Sequence, residues 1–489
     1  MTPETPYADA LRRHASRDVV RLIVPGHSAA SDAAPLLNDF FGAELLRADV
    51  PRLLEGIDKG PDNPLDRARD AAARAWGARR TWFLTNGASQ ANRTAVLALA
   101  GFGTPDQAIV AQRSTHSSFV DGLILSGADA RFVQPSVDAR FGVNHGVTPE
   151  SFADAIAATD AKAGYVVSPS YFGAVADIAG LAEVCHDAGI PLVVDAAWGS
   201  HFGFHPGLPA NPLALGADLV VSSTHKMGGS LTQSAMLHLG DGPFAAELEP
   251  LIERAFVLTQ STSESALLLA SLDLARATLE SGQERIAVSM AAAERLRTAV
   301  RATGRFGVVS DTFAEFPDIV GHDPLRVSID VHRAGLHGHA VREELMRSAG
   351  VFTEISTDAC IVAFVGPGVE PDVERIVRAL MELEPTPELA RRSAGGDMTI
   401  PQPGPAVLRP RDAAFAATEL VSWRDAVGRV SADSLAAYPP GIPNVFPGER
   451  FTPQTLSYLK RTLEHGGTVR GLSDPTMRTV RVVVEEPAR

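Results

Sequence analysis

The stretch Ser222-Ser223-Thr224-His225-Lys226-Met227-Gly228-Gly229-Ser230 lies between the apolar run at 217–221 and a second predicted strand, Gln233–Leu239. This pattern predicts a short buried strand that delivers hydroxyls, a histidine and a lysine into a glycine-rich bend. A lysine between two core strands indicates a specific chemical use, because an unpaired ammonium is costly to bury. One such use is imine formation with an aldehyde, and the neighbouring hydroxyls and imidazole suit a phosphate. Pyridoxal phosphate carries both groups, although an ordinary lysine on an exposed loop would also explain this stretch.

Length and composition indicate a globular, multidomain chain. Its 489 residues suffice for two to four domains with a large core. Hydrophobic residues make up 45% and charged residues 21%, as in an ordinary globular enzyme. The 44 basic and 58 acidic side chains give a net charge of -14, which argues against non-specific nucleic-acid binding.

Targeting signals and metal motifs are not evident in the sequence. Residues 1–10 lack the apolar core of a signal peptide, and no apolar run approaches the roughly 20 residues that cross a bilayer. The two cysteines, Cys185 and Cys360, do not form a disulfide framework, which fits a reducing compartment. No Cys/His cluster has metal-ligand spacing. We therefore expect a cytoplasmic protein without a metal site and without membrane or nucleic-acid partners.

From residue 63 onwards, short apolar runs alternate with helical stretches. Asn63 as a cap and Pro64 in the first turn predict a helix that stops at Gly77. Strands separated by helices are predicted at 81–85, 108–112, 131–134, 165–167, 191–194 and 217–221. Such alternation implies a mostly parallel sheet covered by helices on both faces.

Polar residues lie at or shortly after the carboxyl ends of several of these strands. They are Asn86-Gly87, His116, Tyr171, Asp195 and Lys226. In parallel sheets, ligands bind at the carboxyl ends of the strands. The Asn-Gly turn between a strand and a helix offers free backbone N–H groups to an anion, although it is also a common turn. The convergence of these residues predicts one ligand site at that edge of the sheet.

The sequence divides into four predicted parts. Residues 1–62 form an arm with little periodicity, and 63–300 form the large domain, which ends in long helices at 259–280 and 281–302. Residues 301–390 form a smaller α+β domain with strands at 326–331 and 360–365 around a helix at 339–349. Residues 391–489 hold a Pro- and Gly-rich linker (391–409) and a third, C-terminal unit.

Three segments resemble the bacterial-type ornithine/lysine/arginine decarboxylases. They are Phe-Leu-Thr-Asn-Gly-Ala-Ser at 83–89, Ser-Thr-His-Lys at 223–226 and Tyr-Pro-Pro-Gly-Ile-Pro-Asn-Val-Phe-Pro-Gly-Glu at 438–449. The likeness runs from about Pro25 to the C-terminus with the motifs in family order, and it is similar to the shorter, biosynthetic-type members. It implies the α/β, fold-type-I pyridoxal phosphate architecture: a large domain with a mostly parallel sheet, a smaller α+β domain and a C-terminal α+β domain.

The resemblance also implies an activity and an assembly. The activity is pyridoxal 5'-phosphate-dependent decarboxylation of lysine, ornithine or arginine to the amine and CO₂. The assembly is a homodimer, or a higher even-numbered oligomer, with shared active sites. The residues implied to bind the cofactor are Gly87, Ala88, Ser89, His116, Asp195, Ala197, Trp198, Ser223, His225, Lys226, Thr262 and Ser263.

Individual roles follow from the same resemblance. Lys226 would hold the cofactor as an imine, with His225, Ser223, Ala88 and Ser89 at its phosphate. His116 would stack on the pyridine ring and Asp195 would pair with the ring nitrogen, so that Lys226, His116 and Asp195 are the catalytic residues.

The remaining implied roles lie at the substrate and at the subunit boundary. Trp198 matches one of the two residue types that the family carries three residues after the aspartate. Thr262 and Ser263 would reach the neighbouring subunit's cofactor. Glu449 and Tyr171 would contact the substrate, with Glu449 at its distal cation.

The chemistry explains these residue types. A carboxylate keeps the ring nitrogen protonated, because an opposite charge favours the charged form, and the ring then accepts the electron pair of the broken Cα–carboxylate bond. That bond must be held perpendicular to the ring, which is a positioning task for His116. A proton is then returned to the carbanion, from Lys226 or a neighbour.

Several segments depart from the family pattern. The arm motif Pro-Gly-His-Lys-Gly-Gly is Pro-Gly-His-Ser-Ala-Ala at 25–30, and the acidic Leu-Asp-Asp-Leu-His segment is replaced at 56–60. The usual lysine after His116 is Ser117, and Thr-Ser-Pro-Ser-Tyr is Thr-Ser-Glu-Ser-Ala at 262–266. The cofactor-binding set is thus retained while the substrate-facing set is altered.

Two alternatives therefore stay open at this point. One is another pyridoxal phosphate reaction, such as transamination, retro-aldol cleavage or O₂-dependent oxidation, in which Arg326 could clamp the α-carboxylate. The other is a non-catalytic regulator with a decarboxylase-like fold. Individually, Asp195 could cap a turn, His116 could start a helix and Trp198 could belong to the core.

Overall fold

The computed structural model describes residues 3–30, 32–386, 389, 400–438 and 441–485. The predicted linker is therefore described only from residue 400 onwards, and Pro439 and Pro440 of the 438–449 motif lie outside the described residues.

Helices and strands account for most of this chain. The helices are α1 (Pro6–Ala15), α2 (Pro35–Phe41), α3 (Ala43–Ala48), α4 (Pro64–Trp76), α5 (Gly87–Ala100), α6 (Ser117–Ser126), α7 (Pro149–Ala157), α8 (Ile178–Asp187), α9 (Thr224–Met227), α10 (Ala245–Thr259), α11 (Ala266–Glu280), α12 (Gln283–Ala302), α13 (Gly338–Ala349), α14 (Val373–Met381), α15 (Pro410–Ala414) and α16 (Pro453–Glu464). The strands are β1 (Arg80–Leu84), β2 (Ala108–Gln112), β3 (Asp129–Val133), β4 (Val137–Asp138), β5 (Val143–Asn144), β6 (Ala161–Val167), β7 (Ala174–Ala176), β8 (Leu192–Asp195), β9 (Leu219–Ser222), β10 (Ala235–Leu239), β11 (Gly307–Val308), β12 (Ile319–His322), β13 (Arg326–Asp330), β14 (Ile355–Ser356), β15 (Cys360–Phe364), β16 (Thr418–Ser422), β17 (Leu435–Tyr438), β18 (Pro443–Val445), β19 (Thr468–Arg470) and β20 (Thr479–Val483).

The central sheet has seven strands in the order β1-β10-β9-β8-β6-β2-β3. The pairs β2–β3, β2–β6, β6–β8 and β8–β9 are parallel, whereas β10 is antiparallel to both β1 and β9. The mostly parallel α/β sheet expected from the alternating pattern is therefore confirmed. The carboxyl ends of β2, β6, β8 and β9 lie at one edge of the sheet. The predicted site residues lie at these ends or in the segments that follow them.

Both faces of this sheet are buried, which explains why its strands are continuous apolar runs. Val193 packs into the core on one face, and the next residue, Val194, packs into the core on the other. Ile109 and Val110 alternate in the same way on β2. Each such fully buried side chain stabilises the fold by roughly 1.5–3 kcal/mol.

The first long helix shows how local sequence sets an element's bounds. The Asn63 side chain accepts a hydrogen bond from the Asp66 N–H at 3.0 Å, which caps the start of α4. Gly77 ends the helix in a left-handed conformation, at φ 69°, which a residue with a Cβ rarely adopts. The predicted bounds of this helix are confirmed.

The N-terminal arm is more ordered than its weak periodicity predicts. Helix α1 packs against α4 and α11, and its residues Tyr7 and Leu11 are buried. The Tyr7 and Ala8 N–H groups donate to the Asp273 carboxylate of α11 at 3.0 and 3.2 Å. Residues 6–15 therefore belong to the large domain's core, since their few apolar residues all face one side.

Beyond α1, the arm runs over the surface with apolar side chains exposed. Leu22 is 91% exposed and Phe40 of α2 is 82% exposed. Leu36 of the same helix is also largely exposed. Such a set of exposed apolar residues is unusual for a surface that faces only water.

The smaller domain contains the four-stranded sheet β11-β13-β15-β14 with α12, α13 and α14 around it. Its predicted strands and helix are present. Helix α12 contributes Ile286 to a core of the large domain and Leu296 and Val300 to the core of the smaller one. The helix thus crosses the predicted boundary at 300, and the four-part division of the chain stays a prediction.

Two local predictions were wrong. The stretch 259–280 is not one helix, because α10 ends at Thr259 and α11 begins at Ala266 after an intervening loop. Gln233 does not start a strand, since its φ of 77° places it in a turn before β10. In both places a turn that the tertiary structure requires overrides the local pattern.

The C-terminal unit contains two small sheets, β16-β20 and β18-β17-β19, together with α15 and α16. Its core contains Leu435, Phe451, Leu456 and Val480. Helix α15 packs against α6, and α16 packs against β17, β18 and β19. In the part of the chain that the structure covers, no helix is both long and apolar enough to cross a membrane.

Candidate active site

Lys226 lies just beyond the carboxyl end of β9, in the short helix α9. Its Nζ lies 3.6 Å from the centroid of the Trp198 ring, and the side chain is partly buried. Burial lowers the pKa of Lys226 to about 8, the nearby Asp195 carboxylate opposes that shift and the Arg326 charge adds to it. A lysine in this state supplies far more neutral, nucleophilic amine near neutrality than an exposed lysine does.

Asp195 ends the neighbouring strand β8 and is almost fully buried. Its Oδ2 accepts hydrogen bonds from Asn92 Nδ2 at 2.9 Å and from the Tyr165 hydroxyl at 3.0 Å. Its Oδ1 accepts from the Ala197 N–H at 3.0 Å. Burial and the Asp195 charge raise the pKa of Tyr165, which keeps the phenol protonated as a donor. The carboxylate is therefore fixed in orientation.

His116 precedes α6 and caps it. Its Nδ1 accepts a hydrogen bond from the Ser118 N–H at 3.2 Å and lies 2.8 Å from the Ser118 hydroxyl. Because Nδ1 accepts from an amide, the ring proton must sit on Nε2. Burial, together with the charges of Lys226 and Arg470, lowers the pKa of His116 to about 3. The ring is thus a neutral, oriented imidazole.

The start of α5 has the features of an anion site. Gly87 adopts φ 71°, and its N–H donates to the Gln233 carbonyl at 2.7 Å. None of the residues placed by the structure accepts from the Ala88 or Ser89 N–H, so both donors remain available at the positive end of a 14-residue helix.

Ser223 and His225 complete the polar part of this group. The His225 Nδ1 lies 2.9 Å from the Ser234 carbonyl oxygen, which can only accept, so Nδ1 carries the proton. The Ser223 hydroxyl lies 3.3 Å from the same nitrogen. Burial lowers the pKa of His225, and the Lys226 charge adds to that effect.

Aromatic rings form one wall beside Lys226. Trp198 stacks on Phe364 of β15, with ring centroids 4.7 Å apart and an interplanar angle of 5°. Tyr171 lies edge-on to Trp198 at 6.2 Å. Burial raises the pKa of Tyr171, and so does the Asp195 charge. The smaller domain thus closes this side of the site through Phe364.

Two of the predicted residues lie apart from this group. Thr262 and Ser263 are exposed in the loop between α10 and α11, where the Ser263 N–H donates to the Ser261 hydroxyl at 3.2 Å. Their exposure within one chain leaves them accessible to a second subunit. Their role at a partner's cofactor stays a prediction.

Glu449 lies in a buried ion pair, and its role at the substrate's distal cation stays a prediction. Arg113 Nη2 lies 3.1 and 2.9 Å from the two carboxylate oxygens, and the Phe446 N–H donates to Oε2 at 2.7 Å. The Arg113 guanidinium also lies 3.3 Å from the Phe446 ring centroid, and both charged groups are buried. Glu449 therefore anchors the C-terminal unit to the segment after β2, and Arg113 already neutralises its charge.

The structure adds residues that the sequence alone did not point to. Asn92 and Tyr165 orient Asp195, and Ser118 orients His116. The Glu354 charge opposes the lowering of the pKa of both Lys226 and His225, so this carboxylate of the smaller domain lies within electrostatic reach of the site. A buried tyrosine in the strand next to β8 was the one available signal, since the other residues join the site only through tertiary contacts.

A partly buried lysine, a fixed carboxylate and an anion cradle at the carboxyl edge of a mostly parallel sheet define the fold-type-I class of α/β enzymes. Residues 5–317 match the family model described as Orn/Lys/Arg decarboxylase, major domain, and residues 403–476 match its C-terminal domain. This chain belongs to the Orn/Lys/Arg decarboxylase family, as the motifs predicted.

Individual relatives agree with this family. An arginine decarboxylase of Bacillus subtilis is 34% identical over 99% of both chains. Among solved structures, lysine decarboxylase A of Pseudomonas aeruginosa has a TM-score of 0.81 at 24% identity, covering 98% of this chain and 80% of that one. A lysine decarboxylase of Francisella novicida has a TM-score of 0.80 at 19% identity, covering 98% and 81%. These two structures show that the fold is shared along the whole chain.

Proposed function

We propose that this chain binds pyridoxal 5'-phosphate at Lys226 and decarboxylates arginine to the corresponding amine and CO₂. The observation that carries the proposal is the pairing of a lysine amine of lowered pKa with a rigidly held carboxylate, Asp195, at the same edge of the sheet. The full-length similarity to an arginine decarboxylase supports arginine among the family's substrates.

The residues present fit this cofactor. A phosphate needs several donors, and the Ala88 and Ser89 N–H groups with the Ser223 hydroxyl supply them. The Asp195 carboxylate suits a protonated ring nitrogen, and the neutral His116 ring suits an aromatic face. Bound there, pyridoxal phosphate would supply the ring that accepts the electron pair released when the Cα–carboxylate bond breaks.

The protein's own groups would then perform three tasks. Asp195 keeps a proton on the ring nitrogen, because a nearby opposite charge favours the charged form. The His116 ring, whose proton is on Nε2, positions the reacting face without carrying a charge of its own. Lys226 contacts the Trp198 ring, and its amine, after it has taken up a proton, could deliver that proton to the carbon that loses CO₂.

The contacts of Arg326 do not separate decarboxylation from transamination. Its Nη1 donates to the Ser170 carbonyl at 2.6 Å, and its Nη2 donates to the Trp198 carbonyl at 3.3 Å. The side chain is fully buried and also pairs with Asp323 at 3.4 Å. Its Nε–H has no hydrogen-bond partner among the described residues, so the guanidinium keeps a donor for an α-carboxylate in either reaction.

Product analysis tests the proposed function. Purified holoenzyme should release CO₂ from arginine and form the amine that retains the guanidinium group, which mass spectrometry identifies directly. Lysine and ornithine serve as matched substrates, because they carry an ammonium instead. Formation of a keto acid, or release of CO₂ only from lysine or ornithine, would contradict the arginine assignment.

Glu354 is the carboxylate we propose for the substrate's distal cation. It is exposed, its charge acts on Lys226 and His225, and no salt bridge joins it to a cation among the residues described in this chain. We expect Glu354→Gln to raise KM for arginine by roughly ten- to a hundredfold, because the mutation removes a charge-assisted pair, while kcat changes little. Steady-state kinetics check this split.

Glu344→Gln is the control for that variant, because Glu344 pairs only with Arg347 within its own helix, at 2.7 Å. An unchanged KM in Glu354→Gln would remove Glu354 from substrate recognition without affecting the assignment of the cofactor site.

We further propose a homodimer, or a higher even-numbered oligomer, in the cytoplasm. The exposed Leu22, Leu36 and Phe40 of the arm would be covered by a second subunit, which would also receive Thr262 and Ser263 at its cofactor site. The division into an arm (1–62), large domain (63–300), smaller domain (301–390) and C-terminal unit (391–489) is retained within this proposal.

A further inference from the structure

A cluster of three histidines around one carboxylate lies where the smaller domain meets the C-terminal unit. His337 and His339 begin α13, Asp358 lies in the turn between β14 and β15, and His465 follows α16. The ligand atoms of His337, Asp358 and His465 all lie within 4.8 Å of one another. This group plays no part in the proposed chemistry at Lys226.

The N···O distances between side chains in the cluster are similar to the distances between ligand atoms around one metal ion. His337 Nε2 lies 3.1 Å from Asp358 Oδ1, and His465 Nδ1 lies 3.3 Å from Asp358 Oδ2. Ligand atoms around a tetrahedral zinc ion are separated by about 3.3 Å when the metal–ligand bonds are about 2.0–2.1 Å long. Small side-chain movements would therefore bring all three atoms onto one ion.

The contact between His337 and Asp358 supports this interpretation. The His337 side chain is buried, and its Nε2 lies 3.1 Å from Asp358 Oδ1 without the alignment of a hydrogen bond. A buried nitrogen that is poorly aligned with its partner is costly, and a bound ion would engage both groups. The neighbouring His339 Nε2 lies 3.7 Å from Asp358 Oδ1, where it could supply a further ligand.

The backbone holds these side chains in place. A Cβ at Gly338 would lie 2.2 Å from the Thr357 carbonyl oxygen, so only glycine lets the start of α13 approach the β14–β15 turn this closely. The Gly338 N–H donates to the Asp358 carbonyl at 3.1 Å. His339 Nδ1 lies 2.8 Å from the Ser356 hydroxyl, which orients its ring from behind as the outer contacts of metal sites do.

We infer that His337, Asp358 and His465 form a site for a divalent transition-metal ion of the zinc type, with His339 or water completing the coordination. Two imidazoles and one carboxylate are the donor set that such ions prefer. The site would tie α13 of the smaller domain to the end of α16. The inference does not depend on the proposed function, and it revises the sequence-based expectation of no metal site.

The sequence hides this site because its ligands are far apart along the chain. His337-Gly338-His339 offers only a His-x-His pair, and Asp358 and His465 join it through the packing of two domains. Sequence spacing detects metal sites only where the ligands lie on one short segment.

Zinc binding to untagged, chelator-treated holoenzyme tests the inference. We expect one zinc per chain by elemental analysis after dialysis, and a higher Tm with zinc than without it. His465→Gln and His337→Gln should each weaken zinc binding roughly a hundredfold or more. His186→Gln is the matched control, because His186 pairs with Asp218 at 2.9 Å without a second imidazole.

Binding that is absent in the unmodified protein, or equal in all four proteins, would overturn the inference. Crystals of the unmodified holoenzyme soaked in zinc keep the test decisive if the variants fail to fold. An anomalous peak at the zinc absorption edge between His337, Asp358 and His465 supports the site, whereas a peak only elsewhere, or none, refutes it.

Discussion

Lys226→Met is expected to lower decarboxylation by roughly a thousandfold or more and to abolish the visible absorbance of covalently held pyridoxal phosphate. Methionine keeps the unbranched stem against the Trp198 ring but has no amine. The loss would therefore come from chemistry and not from packing. Absorbance spectra and CO₂ release, measured on the same preparation, check both parts of the prediction.

Lys162→Met is the matched control. Lys162 is also buried, and burial lowers its pKa, but its Nζ donates to the Ala100 and Thr104 carbonyls at 3.3 Å, away from the site. This variant should bind the cofactor covalently and keep its activity per folded molecule. Full absorbance in Lys226→Met would show that another group holds the cofactor, and the proposed function would fail with it.

The same amine gives the protein a pH dependence with a definite sign. The pKa of Lys226 is lowered from 10.5 to about 8, so its neutral form becomes dominant as the pH rises through about 8. The rate at which cofactor-free protein captures pyridoxal phosphate should therefore rise over that range and then level off. A midpoint near that of an exposed lysine would contradict the burial of this amine.

Much of the fold could be predicted because the local conformational preferences of its segments agree with their tertiary packing. Asn63, Pro64 and Gly77 set the bounds of α4 by capping and backbone conformation, which act within a few residues. The strands of the sheet were visible because both faces are buried, so that each strand is a continuous apolar run.

The site residues could be predicted where they lie at the carboxyl ends of strands. Lys226, Asp195 and His116 come together because β9, β8 and β2 run in the same direction within one sheet. The family resemblance then suggested a role for each residue, and the structure provides the contacts that would support those roles.

Partners across long sequence distances could not be predicted. The Pro-Gly-Glu motif identified Glu449. Nothing in the sequence indicated that Arg113, more than 300 residues earlier, would form an ion pair with its carboxylate. Likewise, Asn92 looks like any polar residue on a helix until the fold places its amide against Asp195. Such contacts depend on the packing of elements and leave no local pattern.

Asp195→Asn is expected to leave the cofactor bound but to lower kcat by roughly ten- to a thousandfold. A nearby opposite charge shifts a pKa by about 1–3 units, so its removal reduces the protonated fraction of the ring nitrogen by a similar factor. Lys226 and the donors at the start of α5 are unchanged in this variant. Covalent capture of the cofactor should therefore persist while turnover falls.

Asp195→Asn disturbs the hydrogen bonds around this side chain in addition to removing its charge. Oδ1 accepts from the Ala197 N–H and Oδ2 accepts from Asn92 Nδ2. An asparagine has only one acceptor oxygen, so either orientation of its amide places its NH₂ group against another donor. We therefore expect a loss of stability in addition to the loss of turnover, and Tm must be measured beside kcat.

Asp218→Asn separates these two effects. Asp218 is also buried and accepts from the Leu192 N–H at 2.8 Å, but it precedes β9 and so lies at the opposite edge of the sheet from Lys226. It should lower Tm without changing kcat per folded molecule. The ¹⁵N chemical shift of labelled cofactor reports the ring proton directly, and it should change in Asp195→Asn alone. If that shift stayed the same while kcat fell, Asp195 would act by holding its neighbours in place, and the electronic role proposed for it would be wrong.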